Sequence, residues 1–402
     1  MAKQHPEIAA YKATKQVYET RTTCRVCQKP SLSLVLSLGD QYVANFVKDV
    51  DMSLPRVPLN LVQCTECGLL QLRETTDPDI LWRGHYWYRS GINATMREAL
   101  LDIVQAGLRF VNAGTWLDIG ANDGTLLSRV PQEFKKIGCE PSTSMQVFLE
   151  EHADKVVGDF FSAQSVGETA NVITSCAMFY DLDDPNKFVA DIAATLADDG
   201  VWINQLSNTP VMLQTTAFDN ICHEHVCYYD IQSLQRLYEQ HGLVIISTSL
   251  NDVNGGSIRT VAAKRGMPNV LGVPKIMPGS VKAFCDRVRR WKLQAQEIID
   301  NLPSMTSLWA YGASTKGCTL LQYLDRSDKF VAIADRNPAK WGLRMAGSWI
   351  PIVDEETMRQ ARPSHLAVLP WAFAEEFTAR ETATRNAGTT MMFPLPDWRF
   401  VL

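Results

Sequence analysis

The stretch TWLDIGANDGTLLSRV, residues 115–130, decides the fold. An apolar run of strand length ends in Asp118, a turn carrying Gly120 and Gly124 follows, and a helix start comes next. About twenty residues on, KIGCEPS (136–142) reads as a second strand, which makes the segment a βαβ unit. Strand candidates KVVGDF (155–160), ANVITSCAMF (170–179) and GVWINQLS (200–207) continue it into an open, mostly parallel sheet. LVIISTSLNDVNGGSIRTVAA (243–263) reads as two strands around an Asn-Gly-Gly turn, a closing antiparallel hairpin. Ahead of the sheet, residues 79–110 pass from an aromatic loop into a helix whose Met96, Leu100, Ile103, Val104 and Leu108 recur near 3.6 spacing.

The first turn also points to a ligand. A dinucleotide would call for G-x-G-x-x-G, whereas Asp118-Ile119-Gly120 with Asn122 and Gly124 makes an acidic, tightly turned floor suited to a cationic amino-acid cofactor. S-adenosylmethionine meets that description. Glu140, followed by Pro141, closes the second strand and is placed for ribose hydroxyls. Asp159, followed by Phe160, closes the third and is placed for an adenine amino group. The bland reading of the same residues is a turn with helix-capping acids.

A second strand-loop-helix-strand pattern, SLWAYGASTKGCTLLQYL (307–324) then FVAIADRN (330–337), follows a helix rich in Arg and Lys at 280–302. The chain therefore carries two nucleotide-fold-like halves. Ser314, Thr315 and Lys316 at the start of the second helix offer hydroxyls, backbone N–H groups and a cation suited to phosphate, without the rest of a Walker motif.

Toward the N-terminus stand Cys24-Arg-Val-Cys27 and Cys64-Thr-Glu-Cys67. Two such knuckles place four thiolates around one Zn²⁺ and leave no open coordination position, so a structural zinc is expected. Gly68 supports the second knuckle by tolerating φ > 0. LSLVLSLGD (32–40) and PLNLVQC (58–64) predict a small β-rich module, with turns expected at Gly39-Asp40 and around Pro55 and Pro58.

Composition agrees with this division. At 402 residues the chain is too long for one compact core. Its net charge of −5 gives no overall positive field for nucleic acid or an anionic membrane. The opening MAKQHPEIAAYKATK has no apolar signal core and no run of about 18 apolar residues follows, so neither secretion nor a membrane span is expected. A cytoplasmic protein, monomeric or weakly dimeric, is expected. Cys139 and Cys176 read as small core residues.

Two further clusters carry chemistry. FDNICHEHVCYYD (218–230) groups His223, Glu224 and His225. It reads as acid/base groups, as packed core histidines, or as metal ligands. The last is disfavoured, because two histidines two apart point to opposite faces of a strand. His85-Tyr86-Trp87-Tyr88-Arg89-Ser90-Gly91 reads either as an aromatic domain interface or as a lid over cofactor and substrate.

Taken in order, the two knuckles, YRSGIN (88–93), WLDIGANDGTLL (116–127), the HEH triplet followed by tyrosine, NGGS (254–257) and YGASTKG (311–317) before IADRNP resemble one family over nearly the full chain. That family is the zinc-containing sugar C-methyltransferases of deoxysugar biosynthesis, which act on nucleotide-linked 4-keto sugars. The resemblance implies an α/β chain with a small N-terminal zinc-binding β module (1–77). A central Rossmann-like, S-adenosylmethionine-dependent methyltransferase fold (78–267) and a second Rossmann-like domain for the nucleotide sugar (268–402) would follow. It implies His225 as base, Glu224 as the adjacent carboxylate orienting it, and Tyr86 or Tyr88 in support. Where the family carries tyrosine before the triplet, this chain has Cys222, a shorter and weaker donor.

Proton removal next to a ketone needs donors at the developing oxyanion, and Asn254 with the Gly255-Gly256 backbone is a candidate. Arg89, His223, Gly255, Gly256, Ser257, Ser314 and Lys316 complete the expected substrate set. The runner-up activity is O- or N-methyl transfer to a sugar or other small metabolite.

Overall fold

The computed structural model describes residues 17–43, 46–83, 88–269 and 272–402. Its N-terminal module is antiparallel: β1 (Leu32–Tyr42) pairs with β2 (Arg56–Cys64), and β2 with β3 (Leu70–Leu72). The turns expected at Gly39-Asp40 and Pro58 are absent. β1 runs through Gly39-Asp40 with a register shift between Ser37 and Asp40, and Pro58 sits inside β2 opposite Asp40. A bulge tolerates glycine at positive φ and a partner without an N–H, so both residues signal an irregular ladder here rather than its end.

Helix α1 (Ala94–Leu108) leads into the central sheet. Its strands are β4 (Gly114–Ile119), β5 (Phe134–Cys139), β6 (Lys155–Val157), β7 (Ala170–Cys176) and β8 (Leu196–Ser207), with β10 (Val244–Asn251) and β11 (Ser257–Ala263). The order is β10-β11-β8-β7-β4-β5-β6, parallel from β8 to β6, with the β10–β11 hairpin antiparallel. Period-2 alternation sorts the core. Trp116, Val201 and Ile203 pack under α1 on one face, and Leu117, Ile119 and Trp202 pack on the other.

Between β8 and β10 the chain leaves this sheet. β9 (Cys227–Tyr228) pairs antiparallel with β3, Cys227 opposite Gln71 and Tyr228 opposite Leu70, and so becomes the fourth strand of the N-terminal module.

Helix α2 (Ser280–Asp300) buries Val281, Phe284, Val288, Trp291, Ala295 and Ile299 at helical spacing. That stripe belongs to one cluster with Leu59 and Leu61 of the module, Phe218 of the central domain and Leu321 of the C-terminal domain. The last domain carries β12 (Leu308–Tyr311), α3 (Thr315–Leu324) and β13 (Phe330–Ala334). They lie in a six-stranded sheet ordered Ile352–Val353, β13, β12, His365–Val368, Thr390–Phe393, Arg399–Val401. Phe46–Val47 of the module pairs with Arg344–Met345 of this domain. Among the described residues no helix is long and apolar enough to cross a membrane.

Candidate active site

The two cysteine knuckles converge. The four sulfurs lie within 4.8 Å of one another, with Cys24–Cys67 and Cys27–Cys64 at 3.5 Å. A tetrahedron with Zn–S near 2.3 Å has edges of about 3.8 Å, so the cluster fits the ion. The knuckles share one turn: Gln28 N donates to Cys24 O and Gly68 N to Cys64 O, both at 2.9 Å, with Gln28 and Gly68 at φ 59° and 80°. Gln71 Nε2 donates to Cys24 Sγ at 3.2 Å, and Gln71 is also the residue opposite Cys227 in the β3–β9 ladder. The metal cluster and the HEH loop are thus joined through one strand.

At the other end, Gly120 (φ 70°) turns the chain after β4 so closely that a Cβ there would lie 3.1 Å from Met178 Cγ. Asn122 N and Ser142 N each donate to one oxygen of Glu140 at 2.8 Å, which leaves a lone pair on each oxygen. Asp118 is buried and accepts from Thr174 Oγ1 at 2.7 Å. Burial pushes its carboxyl up to about 7 against that bond, with the nearby Glu140 adding to the shift. An acid so poised is ionised more fully when a cation arrives, which fits an amino-acid sulfonium cofactor.

The aromatic segment is latched onto this turn. Asn122 Nδ2 donates to Tyr88 O at 3.1 Å, while Ser90 N donates to Asn122 Oδ1 and Gly91 N to Asp123 Oδ2, both at 3.0 Å. Arg89 stacks 3.7 Å over the Phe148 ring, 3.6 Å from Asp123. Tyr86 lies outside the described residues.

The HEH triplet occupies a turn, not a strand. His223 Nε2 donates to Val57 O of the module at 2.9 Å, and burial lowers this ring to about 4. His225 Nδ1 bonds Asn220 O at 3.0 Å and its ring stands edge-on to Tyr180 at 4.3 Å. Because a carbonyl only accepts, Nδ1 carries the proton and Nε2 keeps its lone pair. Burial, and then the charge of Lys316, lower His225 to about 3 and hold it neutral. The Asn220 carbonyl therefore does the orienting expected of Glu224. Burial raises Glu224 to about 7, offset in part by hydrogen bonds with Thr315 and Cys222.

A single cavity of about 2420 Å³ joins the two ends. Asp118, Gly120, Asn122, Glu140, Pro141, Asp159 and Phe160, the residues expected to hold the cofactor, line it together with Tyr88. Glu224, His225, Asn254, Ser314, Thr315 and Lys316 line its middle, and Phe46, Lys48, Lys340 and Trp341 its far end. Several expected site residues do not line it. His223 is turned to Val57, Arg89 to Phe148, and Gly124 packs against His152. Gly255 faces Ala372, and Gly256 (φ 116°) would place a Cβ 2.7 Å from Val211 Cγ1. Ser257 Oγ donates to Val253 O. The NGGS turn therefore offers only Asn254 to the cavity.

Cys139 is fully buried in the hydrophobic core, as expected, and Cys176 packs partly buried against it; both also border the cavity as neutral thiols, pushed up to about 12 by burial. The sequence reading did not single out Asp181 and Asp219. Asp181 is raised well above its usual range by burial and by Glu224, and its Oδ1 has no partner. Asp219 accepts from Trp371 Nε1 at 2.8 Å through Oδ2 and leaves Oδ1 unpartnered.

Family models cover this architecture piece by piece: a zinc binding domain matches residues 24–82, a methyltransferase domain 92–248, and a C-methyltransferase C-terminal domain 252–396. The C-methyltransferase NovU of Streptomyces niveus is 27% identical over 407 residues, spanning 94% of this chain and 96% of that one. The chain is thus similar, domain by domain and along nearly its whole length, to zinc-containing C-methyltransferases. It uses S-adenosylmethionine as methyl donor and carries a structural zinc. Among solved structures, an S-adenosylmethionine-dependent methyltransferase from Clostridium acetobutylicum is similar at 13% identity and TM-score 0.35, over 42% of this chain and 92% of that one. The magnesium protoporphyrin IX methyltransferase of Synechocystis, solved with bound SAH, is similar at 12% and TM-score 0.36, over 43% and 88%.

Proposed function

We propose that this C-methyltransferase methylates the carbon next to the ketone of a nucleotide-linked 4-keto sugar, with His225 as the base. The observation that carries the reading is the presentation of an unprotonated imidazole nitrogen into the same cavity as the cofactor turn. Carbon is a poor nucleophile until that proton leaves, whereas an oxygen or nitrogen acceptor needs no enolate.

On this reading the cofactor supplies an electrophilic methyl group. Glu140 receives the ribose hydroxyls on its remaining lone pairs, Asp118 faces the cationic end, Asp159 takes the adenine amino group, and Pro141 and Phe160 line the adenosine. Tyr88 and Asn254 close on the acceptor. Glu224, with Nδ1 of the base already engaged by Asn220, is available to a sugar hydroxyl. Single-ligand pockets run to about 1,000 Å³. The 2420 Å³ here suits a cofactor together with an extended second ligand such as a nucleotide sugar.

Four thiols gathered for an ion, with no cysteine in a disulfide among the described residues, fit the reducing cytoplasm. The test is incubation with S-adenosylmethionine and a panel of nucleotide-linked 4-keto sugars, followed by mass spectrometry and NMR of the sugar. A new carbon-bound methyl supports the reading; a methyl on oxygen or nitrogen overturns it.

A further inference from the structure

The second residue of α3, Lys316, was expected to serve a phosphate, yet its surroundings are those of the base. Its helix packs directly against the Phe218–Asn220 turn that begins the 218–225 loop, it lines the same cavity as Glu224 and His225, and its charge acts on Asp219, Cys222 and His225. Ser314, the other half of the expected phosphate cradle, uses its hydroxyl oxygen to cap α3 by accepting from Gly317 N at 3.1 Å. Among the described residues no carboxylate lies within ion-pair distance of Lys316, although it lines the same cavity as Asp181, Asp219 and Glu224. It is a half-buried, uncommitted cation beside a base.

The chemistry of the substrate class then decides what it meets. In a nucleotide-linked 4-keto sugar the diphosphate hangs from the anomeric carbon, across the ring from the ketone. The proton to be removed is on a carbon bonded to the ketone. A cation beside the base is therefore beside the ketone oxygen and far from the diphosphate.

We propose that Lys316 is a catalytic residue that receives the ketone oxygen and stabilises the negative charge developing on it during methyl transfer. The inference rests on the 4-keto-sugar reading above. In the first step the C–H bond breaks and its proton goes to His225 Nε2. The electron pair forms the C=C bond, and the carbonyl π pair moves onto oxygen, held by the Lys316 ammonium without transfer of its proton. In the second step that pair returns to re-form C=O as the carbon takes the methyl group and the S–CH₃ pair stays on sulfur. Burial is the main cause of the depressed His225, and negative charge at the oxygen offsets only the smaller part that comes from Lys316.

Loss of one oxyanion donor lowers turnover by about 100- to 1000-fold. The experiment compares wild type with Lys316→Met and Lys316→Arg. Its readouts are kcat and KM for methyl transfer, solvent-deuterium exchange at the substrate carbon, and calorimetric affinity for the nucleoside diphosphate alone. Zinc content and S-adenosylmethionine affinity report folding, and Lys316→Gln replaces the methionine variant if either is lost. The expected result is a parallel fall of kcat and exchange in Lys316→Met, partial recovery in Lys316→Arg, and a nucleoside diphosphate affinity within about twofold of wild type. Unchanged kcat with raised KM and weakened nucleoside diphosphate binding overturns the inference in favour of a phosphate anchor. Wild-type protein that neither exchanges nor methylates any 4-keto sugar overturns the substrate reading, and this inference with it.

Discussion

Replacing Glu140 by glutamine separates two consequences that the structure keeps on different atoms. Glu140 accepts Asn122 N on one oxygen and Ser142 N on the other, both at 2.8 Å, at 6% exposure. A glutamine has one acceptor oxygen and one NH₂, so one of the two backbone N–H groups faces a donor. That loss exists with or without cofactor, and it appears as about 1–3 kcal/mol of stability rather than as affinity. The charge-assisted bonds to ribose exist only in the complex. Exchanging the ionised acceptor for a neutral one forfeits about 1.5–3 kcal/mol, which is about a tenfold to 150-fold rise in the Kd for S-adenosylmethionine. Titration calorimetry and thermal melting of the same preparation read both. A folded Glu140→Gln protein that binds S-adenosylmethionine as tightly as wild type refutes the placement of the ribose at Glu140.

Three further outcomes follow from the same geometry. Asp118 is held near 7, and a cationic ligand favours its ionised form, so affinity for S-adenosylmethionine is full above that pH and falls by up to about tenfold per unit below it. A flat calorimetric profile from pH 5.5 to 8 would contradict this. Removing zinc by chelation or by Cys64→Ser is expected to release β3 and with it β9, and so to abolish methyl transfer while the cofactor turn still binds. Metal analysis, calorimetry and turnover on one sample decide it. His223→Leu removes the buried hydrogen bond that clasps the loop to Val57 O and should cost about 0.5–1.5 kcal/mol in melting, with a kcat loss secondary to loop displacement. A variant of unchanged stability would show that the clasp contributes nothing.

The strands of the central sheet were legible because apolar runs of strand length alternate with glycine turns from Thr115 onward, but the helix expected after Gly124 is only a 3-10 turn, Leu127–Arg129, before β5. The zinc knuckles were legible because their chemistry needs only local spacing. What escaped was tertiary. Asp181 and Asp219 look like ordinary loop acids until the fold buries them. The HEH triplet was read with strand periodicity, but it lies in a turn whose histidines are sorted by two carbonyls, Val57 O and Asn220 O. Lys316 carries the local pattern of a phosphate loop, and only the docking of the C-terminal domain brings its helix against the Phe218–Asn220 turn and into the cavity that His225 lines. Gly39 and Pro58 signalled a bulge, which uses the same residues as a turn.

The most direct test of the account is exchange of the proton next to the ketone in deuterated water, followed by NMR on a nucleotide-linked 4-keto sugar, with wild type and His225→Ala compared at equal zinc content. The account predicts carbon-bound deuterium with wild type and its loss with His225→Ala while S-adenosylmethionine binding is retained. Equal exchange in both proteins, or methylation by wild type without any exchangeable carbon proton in the acceptor, would contradict it.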